Sequence, residues 1–282
     1  MKAIPVLPYE AEAIIQEFIC QKLKREDIYA SYPEQLLRED TLELLDRFCT
    51  VVFYPLEDEE NNGFHVSVPF KDGHEQDFVF INTAQTMEKQ IFTAAHELGH
   101  IWKADEAILH SLGLENTVQH HEAAINRFAA VLLMPEERFK NVLAIELRKL
   151  CNEDRSISVL NMYKLIVILM NYFCAPMKSV ILRMFELKCL SQTDADLLLG
   201  ADEKAEIPIG NLVNSLIADF GFIKLQKPSC KKHIDRLPEF LDRAEKQQAL
   251  SQEKINHIRE KFELNPPVQT SMELDKEISL TS

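Results

Sequence analysis

Residues 91–102 read Ile-Phe-Thr-Ala-Ala-His-Glu-Leu-Gly-His-Ile-Trp, and the spacing within this stretch decides how the fold is read. Ile91, Ala95, Leu98 and Trp102 recur at helical intervals and form one apolar stripe. His96 and His100 stand beside that stripe, one helical turn apart, with Cβ atoms ~5–6 Å from each other. At that separation both imidazoles can reach one zinc ion with bonds of ~2 Å, and Glu97 projects beside them toward a water on the metal. Imidazoles at the border of a core lose hydration, and metal ligation compensates that loss. Gly99 removes a side chain between the two histidines, where another backbone, such as the strand expected at 78–82, can approach closely.

A catalytic zinc takes three protein ligands and leaves the fourth position to water. The best source of the third is Val118 to Ala130 and its continuation, where Glu122, Asn126, Ala129 and Leu133 share one helical face. A carboxylate there sits on a face otherwise small and apolar. The 21 residues between His100 and Glu122 accommodate a turn and an antiparallel return helix. Asn126, one turn further, can accept a hydrogen bond from a ligand histidine and hold its tautomer. His120 and His121 compete for the third position. His120 can join Glu122 only with awkward geometry, His121 points elsewhere, and both also fit a solvent-facing helix start. A purely structural zinc ranks last, because such sites are Cys-rich and no cysteine lies near 96–122 in sequence.

Outward from this pair of helices the period changes. Cys49 to Tyr54 and Phe78 to Asn82 are β-branched and aromatic, and Phe64 to Phe70 alternates, with Pro69 marking an edge strand. An acidic turn at 57–63 and a turn at 71–73 join them, which predicts a small antiparallel sheet. Helices are expected at 11–24, 34–48, 87–103, 118–134, 136–150, 159–173 and 177–187, then at 212–219 and 237–262 before Pro266-Pro267 and a frayed end. The fold class is therefore α+β: a small antiparallel sheet packed on helices, followed by a mainly helical C-terminal region. The division falls at a polar break, giving 1–198, with a helical hairpin at 156–190, and 199–282.

Composition narrows the function classes. A net charge of −14 argues against a general electrostatic grip on nucleic acid. The longest apolar run, Leu165 to Met177, is 13 residues and contains Asn171, short of the ~20 a membrane helix needs. The opening residues lack a signal-peptide apolar stretch. Six cysteines without a C-x-x-C pair read as buried free thiols in a reducing cytoplasm.

The run FVFINTAQTMEKQIFTAAHELGH (78–100) followed by HEAAINRFAAVLLMPEE (121–137) resembles the ImmA/IrrE family of bacterial metallo-endopeptidases. The second motif matches at Glu122, Asn126, Phe128, Ala129, Leu132, Leu133, Met134 and Pro135, with Ile125 where the family commonly has Ala. The segment APMKSVILRMFELKCLS (175–191) is similar to the family's later helices, and the resemblance spans about 5–195. It implies a zincin-like domain holding one Zn2+ on His96, His100 and Glu122, with Glu97 as the catalytic acid/base. It also implies a further donor to the substrate oxyanion, for which His120, His121, Tyr163 and Tyr172 are candidates. The substrate would add as a strand to a sheet edge such as 64–70. The family's typical partner is an XRE-type helix-turn-helix repressor, whose cleavage switches on mobile-element or stress genes.

A different class of function is a non-proteolytic regulator that binds or sequesters a repressor or DNA. Residues 156–190 could form a helix-turn-helix-like unit with Lys164, Lys178, Arg183 and Lys188 against Glu186. So small a charge grips phosphate weakly, and a packed hairpin is favoured, so direct nucleic-acid binding is not expected. The acidic region after residue 198 would serve partner recognition or latency.

Overall fold

The computed structural model describes residues 7–27, 31–58, 60–69, 73, 75–153, 156–200 and 209–264. Parts of the expected turns at 57–63 and 71–73, most of the polar break after Gly200, and the Pro266-Pro267 tail lie outside these residues.

The chain begins with helix α1 (Ala11–Arg25) and the short α2 (Asp40–Asp46). The second is shorter than the expected 34–48, because Arg38 adopts a left-handed backbone (φ 46°) that separates Leu36 and Leu37 from the helix. Strands β1 (Thr50–Tyr54), β2 (Gly63–Pro69) and β3 (Glu75–Asn82) follow. A fourth strand, β4 (His233–Ile234), joins them in the order β2-β3-β1-β4. The sheet is mixed, which corrects the antiparallel expectation. β3 pairs antiparallel with β2 but parallel with β1, from Thr50↔Phe78 to Tyr54↔Asn82. The chain leaves β1, passes to the edge as β2, and returns between the two as β3. Sequence alternation cannot reveal that order, since it marks faces and not neighbours.

Helix α3 (Met87–Ile101) packs on β2 and β3. Its expected end at Lys103 is replaced by a break: Lys103 is left-handed (φ 54°) and starts α4 (Ala104–Leu112). Helix α5 (Val118–Leu133) starts where Thr117 Oγ1 accepts the His120 amide at 3.2 Å, an N-cap that sets the register of Glu122. From Phe128 onward α5 is fully enclosed, with α3 and α4 against it. Helices α6 (Glu136–Leu150), α7 (Val159–Phe173), α8 (Met177–Glu186), α9 (Gln192–Gly200) and α10 (Ile209–Asp219) complete this unit. Buried Leu165, Ile166, Val167, Val180 and Ile181 place α7 and α8 in the core, and the two helices meet at 101°, a corner where a hairpin is expected.

The first compact unit runs to Ile234, past the break expected at 198/199, because α10 packs on α7 and β4 pairs with β1. The end of β3 is also tied in: Thr83 Oγ1 donates to the Lys231 carbonyl at 2.8 Å, and the Cys230 amide to the Thr83 carbonyl at 2.9 Å. The second unit contains α11 (Leu237–Lys246) and α12 (Gln252–Lys261) where one helix is expected. Gln248 is left-handed (φ 53°), and Ser251 then caps α12 by accepting the Lys254 amide. The six cysteines are free thiols, but only Cys174 is buried; Cys189 and Cys230 are exposed. Among the described residues, no single helix is long and apolar enough to cross a membrane.

Candidate metal centre

His96 and His100 project from the last two turns of α3, and their Nε2 atoms lie 3.2 Å apart. Glu122, in the second turn of α5, offers Oε2 at 3.7 Å from His96 Nε2 and Oε1 at 3.9 Å from His100 Nε2. A tetrahedral ion with bonds of ~2.1 Å separates its ligand atoms by ~3.4 Å. The three side chains therefore fit zinc, with a closure of a few tenths of an ångström by the half-exposed Glu122. Two imidazole nitrogens and a carboxylate form a donor set that zinc takes readily.

The helices approach because Gly99 faces α5. A Cβ there would lie 2.8 Å from Phe128 Cδ1 and 3.1 Å from Ile125 Cδ1. Gly99 thus admits the side chains of α5, not the strand at 78–82, and Ile125 is part of that fit.

Burial sets the protonation states. The ring of His96 is held below the ordinary imidazole range, first by burial and then by the neighbouring His100, against the opposing effects of Glu122 and a hydrogen bond with Asn126. A neutral ring is the form that ligates metal. The Asn126 side chain thus contacts His96, the expected position, and its Nδ2 also donates to the Glu122 carbonyl at 2.8 Å. Glu97 does not join the ligand cluster. Burial pushes its carboxyl up to about 7, with His65 opposing the shift and Glu122 adding to it.

The other sequence candidates are placed elsewhere. His121 Nδ1 is 2.6 Å from Asp105 Oδ2, and its Nε2 meets Asn116. His120 Nδ1 is 2.7 Å from the Glu115 carbonyl. Both rings secure the start of α5. Tyr163 lines a separate cavity with Ile157, Met162, Leu198 and Leu212. Tyr172 takes a hydrogen bond from Arg138 and packs on Phe173. None of these contacts involves His96, His100 or Glu122.

Composition and motif spacing gave no pointer to His65 and Asp77, which pair at 2.8 Å on β2 and β3 near Glu97. Their signal is the strand alternation, which puts a histidine and an acid on one sheet face, but the pairing partner is needed to see it. A cavity of about 400 Å³ adjoins Glu122 and Asn126, with Phe92, Ala123, Leu182 and Phe185 in its wall. A larger one, about 740 Å³, lies between α1 and α6, away from the histidines.

Residues 47–152 match the peptidase family described as the IrrE N-terminal-like domain. This span contains β1–β3 and His96, His100 and Glu122, and it bears out the resemblance to the ImmA/IrrE family. Among solved structures, a Mycobacterium tuberculosis transcriptional regulator is similar at 15% identity and a TM-score of 0.37. The similarity covers 63% of this chain and 52% of that one, so the chain spans about half the length of that structure. No curated protein matches the chain.

Proposed function

We propose that the chain is a zinc-dependent endopeptidase of zincin-like architecture acting on a partner protein. The observation that carries this reading is the convergence of His96, His100 and Glu122, with the Glu97 carboxyl beside them, inside a segment that matches a peptidase family. Zinc bound there would lower the pKa of a water to ~7 and polarise the scissile carbonyl. Glu97 takes a proton from the attacking water and delivers it to the leaving amine. His96 and His100 supply neutral donors, and Asn126 holds the His96 ring.

Strand β2, at one edge of the sheet, presents main-chain groups to an extended substrate. The apolar cavity beside Glu122 accepts one of its side chains. Following the family resemblance, the partner is an XRE-type helix-turn-helix repressor in the cytoplasm, and its cleavage relieves repression. Direct DNA binding through 156–190 gains no support, since Arg183 is fully buried against Glu12.

The test is zinc content by elemental mass spectrometry together with cleavage of a candidate repressor. Glu97→Gln is expected to keep about one zinc per chain and lose cleavage by ~10²–10⁴-fold. His96→Ala is expected to lose both. Cleavage by Glu97→Gln at the wild-type rate would sink the mechanism.

A further inference from the structure

Strand β2 has two unlike faces. Phe64, Val66 and Val68 lie on the outer one, with Phe64 stacked on Phe80 at 4.6 Å. Gly63, His65 and Ser67 lie on the other, and Gly63 shows which face that is: a Cβ there would stand 2.7 Å from Thr93 Cγ2 of α3. His65 follows Gly63 by two residues of strand, ~6.6 Å. Glu97 follows Thr93 by one helical turn, ~5–6 Å. The two steps match because β2 runs along α3 toward its C-terminus: α3 folds back on β3 after a four-residue connection, and β2 is antiparallel to β3.

The ring of His65 is fixed from β3. Its Nε2 is 2.8 Å from Asp77 Oδ1, and Ser67 Oγ donates to the same oxygen at 2.5 Å. Burial raises the Asp77 pKa, but the bonds from Ser67 and His65 outweigh it and hold the carboxyl below its ordinary value. An ionised Asp77 accepts only, so the Nε2–H of His65 donates to it and Nδ1 is the ring atom left for other groups. Asp77 from β3 and Glu97 from α3 are the ionisable groups facing His65, with the Cys49 thiol next to both acids.

We propose that His65, its Nε2–H held by Asp77, acts as the doubly protonated ring and donates through Nδ1–H to the substrate oxygen that gains negative charge during peptide hydrolysis. The inference rests on the peptidase reading and supplies the donor which His120, His121, Tyr163 and Tyr172, engaged elsewhere, do not provide. No bond is made or broken by His65. It contributes a hydrogen bond that strengthens as charge develops.

The test uses the full zinc-loaded chain and two probes followed by calorimetry. Acetohydroxamate reads an open metal site, and N-phosphoryl-leucinamide mimics the charged oxygen. His65→Ala is expected to keep zinc and acetohydroxamate affinity while losing about a hundredfold in affinity for the phosphoryl probe and in kcat, with KM little changed. Equal phosphoryl affinity in wild type and variant would overturn the role of His65. Failure of the zinc-loaded wild type to bind acetohydroxamate would instead overturn the peptidase reading. If His65→Ala does not fold, Asp77→Asn, which frees the ring without changing its size, must show a loss of the same kind, and unchanged phosphoryl affinity there overturns the proposal equally.

Discussion

Helix α5 borders two clusters of charge built on opposite terms. On one side Glu122 meets His96 and His100, a group of lone-pair donors that is one-fifth to one-half exposed. On the other, Arg127 enters a buried cluster with Glu12, Arg183 and Glu186. That cluster holds two acids and two bases. Arg183 Nη1 and Nη2 reach the two Glu12 oxygens at 2.7 and 2.5 Å, its Nε donates to the Met134 carbonyl at 2.9 Å, and Arg127 Nη2 lies 2.9 Å from Glu12 Oε2. Charges that leave water completely need partners within the protein. Charges left at a cleft wall can wait for a cation from outside. The first cluster is suited to chemistry because its lone pairs stand at a cleft wall, and the second to stability because each of its acids meets an arginine, with Arg127 Nε left without a hydrogen bond among the described residues.

The widest separation between the two should come from Arg183→Met. Removing one base leaves Glu12 and Glu186 with Arg127 alone in a dry site, and the expected cost is ~3–5 kcal/mol by urea denaturation, with zinc content unchanged. A loss of zinc at full stability would reverse the assignment of the two clusters.

Glu97 provides an intermediate test. Its pKa rises from 4.5 to about 7 on folding, so the charged form is disfavoured in the folded chain. In the metal-free wild type the contribution of Glu97 to stability therefore falls as pH climbs from ~4.5 to ~7, by up to about 3 kcal/mol, and no further above that. Metal-free Glu97→Gln is expected to be the more stable protein at pH 8 and to lose that advantage below pH ~4.5. Parallel stability curves for the two chains would remove burial as the cause.

The smallest effect on stability is expected at Glu122→Gln. The side chain is about half exposed, so the metal-free variant should stay within about 0.5 kcal/mol of wild type while zinc binding is lost. A large destabilisation without metal would mean that the ligand cluster also supports the fold.

Legibility in the sequence followed the range of the interactions. The positions of His96, Glu97 and His100 were readable because four-residue spacing on one helix is a local fact. Glu122 and Asn126 were readable from the face they share, and the two helices are held close by a glycine whose contact was assigned to the wrong neighbour. The mixed sheet was not readable, since strand order leaves no mark on alternation and it is the return of β3 between β2 and β1 that makes one pair parallel. Helix α4 was missed because a left-handed non-glycine residue, Lys103, breaks a continuous helical period.

By itself, the sequence determined the α+β class, the histidine pair with its neighbouring acid, and the helix that returns Glu122. Each of these follows from periodicity along one element, where geometry fixes which side chains meet. The tertiary structure alone decided that Arg183 meets Glu12 across 171 residues and that His65 meets Asp77 across a hairpin. Such pairs depend on which elements become neighbours, and that is settled by packing of the whole core, not by any local pattern.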